Sequence, residues 1–73
     1  MTYPYHIHIY FIHKDKEGNH EEFEILFNDE KSANKEFKRI IKAIREDKVI
    51  ELSSHKCAIP TSQIFTVAQT ESK

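Results

Sequence analysis

The alternation of apolar and polar residues near the start of the chain constrains its fold more than any other feature. Odd positions are apolar between residues 5 and 11 and again between residues 23 and 27. Side chains alternate between the two faces of a β-strand, so each segment predicts a strand with one apolar face. We therefore predict strands over residues 5–13 and 21–27, joined as a hairpin by a short polar segment.

The length of the hairpin loop decides which faces pair, because residues that oppose each other across two strands lie on the same face. A three-residue loop at residues 16–18 pairs the two apolar faces, whereas a loop of even length would bury glutamates. This loop also places Gly18, the only glycine, where a type I turn followed by a bulge needs a left-handed residue. The predicted cross-strand pairs are Phe11 with Phe23, Ile9 with Ile25, and Ile7 with Phe27.

The middle of the chain predicts one amphipathic helix. Asn28 and Asp29 supply an N-cap, and Glu30 suits the positive end of the helix dipole. Apolar residues then recur at helical spacing, and the helix is predicted to end at about Glu46. The predicted buried stripe comprises Ala33, Phe37, Ile40, Ile41 and Ile44.

The last third of the chain predicts short strands. Residues 49–52 and 57–59 form two of them around a turn at 53–56, and the proline-containing segment 60–63 interrupts the second. A strand resumes at 64–69, before a frayed tail at 70–73. Together these elements predict a single α+β domain over residues 1–73, with an ordered core at about 4–69. Its order is β-β-α-β-β, with one mostly antiparallel sheet and a single helix packed on one face.

The small size of the chain predicts a marginal core. A chain of 73 residues buries only about 60% of the surface that it exposes when unfolded. Its one cysteine cannot form an internal disulfide. A homodimer would add buried area, so we expect self-association. We also expect a cytoplasmic protein, because there is no apolar run of membrane-spanning length and no secretory leader, and an unpaired cysteine suits a reducing compartment.

A net charge of −1 conceals a strongly polarised chain. Residues 1–30 carry two lysines and seven acidic residues, a net charge of −5. Residues 31–48 carry seven basic and three acidic residues, a net charge of +4, and the remainder is neutral. An acidic hairpin therefore precedes a basic helix, and the overall charge does not exclude an anionic partner.

Cations on the outside of the predicted helix are the first candidate binding surface. They recur every three or four residues, so they share one side of the helix. This surface could bind nucleic-acid phosphates or an acidic protein. A solvated face, helped by cations near the helix C-terminus, would explain the same pattern. We call this set the cationic stripe; it comprises Lys31, Lys35, Lys38, Lys42 and Arg45, widened by Arg39.

The outer face of the predicted hairpin is the second candidate surface. Its flanking glutamates would repel phosphates, so base stacking on this face is not expected. A mixed apolar, histidine and glutamate face suits another protein or a second copy of the chain. An ordinary solvated sheet face is the alternative. We call this set the outer sheet face; it comprises His6, His8, Tyr10, Ile12, Glu22, Glu24 and Leu26.

No catalytic or metal site is predicted. His6 and His8 project from one face about 7 Å apart, and a neighbouring carboxylate could complete a zinc site. In the predicted register, however, Glu24 opposes Tyr10 and is only a diagonal neighbour of His8. Cys57 has no arrangement of base and cations around it and is expected to be a small buried residue. We therefore predict a protein without cofactor, metal or enzymatic activity.

Several segments together resemble the small uncharacterised ββαββ proteins of low-GC Gram-positive bacteria and their phages. These segments are the hairpin turn at residues 15–18, the acidic cap at 28–30, the lysine-rich helix, the strand at 49–52, and the terminal segment at 59–67. Nine lysines against two arginines and ten isoleucines fit an AT-rich genome. The resemblance implies an accessory protein of a mobile element. The prediction is a non-enzymatic binding or regulatory protein that acts on a protein partner, with nucleic-acid binding by the cationic stripe as the alternative.

Overall fold

A computed structural model describes residues 3–52 and 57–71 and has α+β architecture. A hairpin of β1 (Tyr5–Lys14) and β2 (His20–Phe27) leads into helix α1 (Glu30–Arg45). Strands β3 (Val49–Leu52) and β4 (Cys57–Pro60) follow, then a 3-10 turn (Thr61–Gln63) and strand β5 (Ile64–Glu71). The predicted α+β class, the antiparallel pairing and the single helix are confirmed. The turn predicted at 53–56 lies outside the described residues.

The strands divide between two sheets, where the sequence predicted one. One sheet has the order β2-β1-β5, and the other pairs β3 with β4. Pro60 ends β4 and the 3-10 turn redirects the chain, so β5 pairs with β1 on the edge opposite β2. Strand β1 is therefore central and hydrogen-bonded on both sides.

The C-terminal strand is longer than predicted. Thr70 pairs with His6 and Glu71 pairs with Tyr5, so the prediction of a frayed tail from residue 70 is wrong for these two residues. The hydrogen-bonded ladder with the central strand holds them in place. Residues 72 and 73 lie outside the described residues.

The predicted hairpin turn is confirmed. The Gly18 N–H donates to the Asp15 carbonyl at 3.1 Å, and Gly18 has a φ of 86°. The Asp15 side chain also accepts from the N–H groups of Glu17 and Asn19, at 2.9 and 3.0 Å. This closes the three-residue loop and places Lys14 opposite His20.

A bulge next to this turn shifts the strand pairing. Between Tyr10 and Lys14, β1 contains two more residues than the segment of β2 that it faces. The apolar faces still pair, as predicted, but the predicted partners are wrong by two residues. The His20 Nδ1 donates to the Phe11 carbonyl at 2.7 Å within the bulge. The observed pairs are Ile9 with Phe23, Ile7 with Ile25, and Tyr5 with Phe27.

The core lies between α1 and the two sheets. Ile7 and Ile9 of the central strand and Ile40 of the helix are fully buried and pack in one cluster. The predicted helix stripe is confirmed at Ala33 and Ile40, which are both fully buried. Its other members are half-buried: Phe37 and Ile44 pack against the core, whereas Ile41 faces a surface groove described below.

The end of α1 depends on a residue in a left-handed conformation. Asp47 has a φ of 55°, and its N–H donates to the Ile44 carbonyl at 3.2 Å. The Lys48 N–H donates to the Ala43 carbonyl at 2.9 Å, which completes a Schellman motif. Glycine usually occupies this position, because a side chain is strained there.

Replacing Asp47 with glycine is expected to stabilise the protein. The gain should be about 0.5–1 kcal/mol, because relief of the left-handed strain exceeds the entropy cost of an added glycine. Urea unfolding followed by circular dichroism measures it. Glu46→Gly is the matched control, since Glu46 has a φ of −93° and gains nothing from glycine. An equal effect of both variants would contradict this explanation.

Candidate functional site

Contacts at the start of helix α1 and along its buried side determine which side of the helix, and therefore which charged residues, face solvent. At its start, the Ser32 N–H donates to Asp29 Oδ2 at 2.9 Å. This backbone hydrogen bond holds the pKa of the Asp29 carboxyl below its ordinary value. Gln69 Nε2 of β5 donates to Asn34 Oδ1 at 2.8 Å and ties the helix to the sheet. With Ala33 and Ile40 buried beneath it, the opposite side of the helix faces solvent.

Five members of the cationic stripe are available to a partner. All five are exposed, and within residues 3–52 and 57–71 none of them forms an ion pair. They extend over about 21 Å of helix, from the first helical turn to the last. The five are Lys31, Lys35, Lys38, Lys42 and Arg45.

Arg39, the sixth member, is engaged within the protein. Its Nε donates to the Glu36 carboxylate on the next turn of the helix. Its guanidinium also donates to the Glu51 carbonyl of β3 at 3.0 Å. Arg39 therefore links α1 to the smaller sheet, and we assign it a structural role.

An apolar groove lies directly beside the cationic stripe. Phe37 and Ile41 line it, and Lys38, Lys42 and Arg45 form its rim. The sequence placed Phe37 and Ile41 in the core because both fit the apolar helical spacing. The signal that could have revealed the groove is the pair Ile40 and Ile41, since consecutive helical residues point about 100° apart. In this helix Ile40 is fully buried, whereas Ile41 is half-buried and lines the groove.

The outer sheet face carries a column of three rings on the central strand. The His6 and His8 rings have centroids 5.9 Å apart, and the His8 and Tyr10 rings 6.1 Å, in stacked orientation. Alternate residues of β1 share a face, as predicted from the sequence. The column is half-buried rather than freely exposed.

The shifted pairing brings the carboxylates of β2 onto this column. His8 lies opposite Glu24 and Tyr10 opposite Glu22, which corrects the predicted register, in which Glu24 opposed Tyr10. His6 Nδ1 lies 2.9 Å from Glu24 Oε2. His8 Nδ1 lies 2.8 Å from Glu22 Oε2 and 3.4 Å from Glu24 Oε2.

Two of these rings have pKa values raised by their surroundings. A hydrogen bond to Glu24 raises the pKa of His6 above its ordinary value. Desolvation, followed by the charge of Glu22, raises the pKa of Tyr10. The pKa shift of His6 therefore comes mainly from its acidic neighbour, whereas that of Tyr10 comes mainly from burial, with the carboxylate charge second.

Strand β5 adds a residue to this face that the sequence analysis missed. Thr70 Oγ1 lies 2.8 Å from His8 Nε2. The prediction of a frayed tail from residue 70 concealed this contact. Leu26 of β2 is 45% exposed on this face. Ile12 is also exposed, but it lies in the bulge and has no partner in the β1–β2 pairing.

The side chains of Cys57, His20 and His13 make contacts within the fold. Cys57 packs against the core as predicted, but it is half-buried rather than buried, because it lies at the start of the short strand β4. The His20 ring stacks on Phe65 with centroids 4.2 Å apart. His13 Nε2 lies 3.2 Å from Gln63 Oε1 and outside the ring column.

Comparison of the chain with protein families, curated proteins and solved structures finds no match. Among the described residues, no helix has the length and apolar character needed to cross a membrane.

Proposed function

We propose that the protein is a non-enzymatic binding protein that recognises an acidic, partly apolar segment of another protein through α1. The observation that supports this most is the set of five exposed cations without an ion-pair partner in the described part of the chain, next to the groove of Phe37 and Ile41. A homodimer through the outer sheet face, a cytoplasmic location and a mobile-element origin stay predictions.

The arrangement of the stripe favours an external anion. Lys31 and Lys35 are like charges four residues apart, as are Lys38 and Lys42, and each pair costs a few tenths of a kcal/mol in an isolated helix. Their positive charges do not stabilise this helix by pairing. A partner that supplies carboxylates along the same side would remove the repulsion and gain attraction.

The apolar groove favours a protein partner over a nucleic acid. A phosphate backbone has no side chains to bury against Phe37 and Ile41, whereas an amphipathic acidic segment has both apolar and charged groups. The hairpin would also repel a long polyanion, because residues 5–27 carry a net charge of −3. A short acidic segment can bind along α1 and avoid the hairpin.

The test is a binding titration of the full chain with three fluorescent probes. The first is an acidic helical peptide with leucines every three or four residues. The second has the same charges but serines in place of the leucines, and the third is a short DNA duplex. The proposal expects the leucine peptide to bind tightest, with an affinity that falls as salt rises. Tighter binding of the duplex would establish the nucleic-acid alternative, and no binding at low salt would refute the proposal.

A further inference from the structure

A different cluster lies on the other face of the central sheet. The core side of β1 carries Ile7 and Ile9 toward α1, so His6 and His8 project from the opposite side. We propose that His6, His8 and Glu24 bind a divalent transition-metal ion of the zinc class. This site is separate from the proposed partner surface on α1.

The distances between the potential ligand atoms are close to those of a metal site. Glu24 Oε2 lies 2.9 Å from His6 Nδ1 and 3.4 Å from His8 Nδ1. One ligand atom from each of the three residues falls within 4.8 Å of the others. Zinc–nitrogen and zinc–oxygen bonds of about 2.0–2.2 Å give a tetrahedron with edges of about 3.3 Å. Small side-chain rotations are therefore enough to place three ligands around one ion.

The chemistry of the ligand set matches this class of ion. Two imidazole nitrogens and one carboxylate oxygen suit zinc and its neighbours in the first transition row, whereas calcium and magnesium prefer oxygen ligands alone. Three protein ligands leave a fourth position for water or for a further group. Glu22 contacts only one of the three ligands, with its Oε2 2.8 Å from His8 Nδ1, so the fourth position is left to water.

The backbone around the site is held in place. Strand β1 is paired with β2 at His8 and Glu24, and with β5 at His8 and Ala68. The His6 and His8 side chains are only 24% and 15% exposed, so their rings have limited freedom. A ligand set that is held in position loses less conformational entropy when it binds an ion.

Thr70 provides an orienting contact behind the ligands. When His8 Nδ1 binds a metal ion, its Nε2 carries the proton and donates to Thr70 Oγ1, 2.8 Å away. Such a contact fixes the tautomer and the ring orientation of a metal-binding histidine. The cluster therefore contains an outer contact as well as the direct ligands.

Titration of the full chain at pH 7.5 with Zn²⁺, and with Co²⁺ as a spectroscopic probe, tests this proposal. Isothermal calorimetry should give one ion per chain, and Co²⁺ should develop the visible absorption of tetrahedral coordination. His6→Gln and Glu24→Gln should each weaken binding by about tenfold or more, since losing even an outer contact commonly costs about tenfold. The matched controls, His13→Gln and Glu21→Gln, lie outside the cluster and should leave binding unchanged.

A second measurement uses only the wild-type protein, so it does not depend on whether the variants fold. In the wild-type protein, zinc should shift the imidazole ¹⁵N signals of His6 and His8 and leave those of His13 unchanged. The proposal is overturned if wild-type protein binds neither ion at millimolar concentration. It is also overturned if the controls weaken binding as much as the cluster variants, or if the imidazole shifts occur elsewhere.

Discussion

Ile40→Ala is expected to lower the free energy of unfolding by about 2–5 kcal/mol, the usual cost of truncating a buried isoleucine. Ile40 is fully buried on α1 and packs in the same cluster as Ile7 and Ile50, one from each sheet. A domain of this size has a total stability on the order of 5 kcal/mol. The variant should therefore be largely unfolded at room temperature or melt well below the wild type.

Ile41→Ala is the matched control for Ile40→Ala. The two positions are adjacent and the chemical change is identical, but Ile41 lines the surface groove. Its truncation should cost less than about 1 kcal/mol, because little buried volume is lost. Urea unfolding of both variants by circular dichroism gives the comparison. Equal losses would show that α1 is oriented differently on the sheets.

The hairpin shows how far sequence patterns can predict a fold. Alternation and loop parity correctly predicted the turn at Gly18 and the pairing of the two apolar faces. They could not predict the two-residue bulge before Lys14. Sliding one strand along the other by an even number of residues changes the pairs but leaves every side chain on its original face. The bulge depends on local contacts, such as the His20 ring on the Phe11 carbonyl, that alternation does not encode.

Because the strand pairing is shifted by two residues, the sequence did not predict which carboxylate lies opposite His8. In the predicted register Glu24 was a diagonal neighbour of His8, and a metal site looked incomplete. In the structure Glu24 lies opposite His8 and within 3.4 Å of its Nδ1. Thr70 joins the cluster through β5, whose pairing with β1 is a long-range contact that local sequence does not specify.

The helix surface was easier to predict, because helical spacing alone determines which residues share a side. The structure confirms that the cationic stripe is exposed, except that Arg39 is bound to Glu36 and to β3. The apolar groove next to it was not predicted. Hydrophobic periodicity identifies an apolar side but does not determine how much of that side the sheets cover.

Reversing two charges of the stripe should have the largest effect on binding. Lys38 and Lys42 form part of the rim of the groove, so both a carboxylate and an apolar group of the partner would lie close to them. Lys38→Glu combined with Lys42→Glu replaces attraction with repulsion at two positions. An exposed ion pair contributes about 0.2–1 kcal/mol. At about 0.5 kcal/mol for each pair, replacing two attractions with two repulsions costs about 2 kcal/mol, so affinity should fall at least about tenfold.

The matched control is Lys14→Glu combined with Lys16→Glu. These lysines are exposed near the hairpin turn and do not line the groove, and their reversal changes the net charge by the same amount. Circular dichroism should confirm that both double variants are folded. Any loss of affinity due to net charge alone will then appear equally in the two variants.

Binding of the acidic leucine peptide to the wild type and to these two double variants tests the central claim most directly. Fluorescence anisotropy at moderate salt measures the three affinities under identical conditions. We predict that the helix variant binds at least about tenfold more weakly than the wild type, while the hairpin variant stays within about twofold. Equal weakening in both variants, or none in the helix variant, would contradict the claim that α1 is the binding surface.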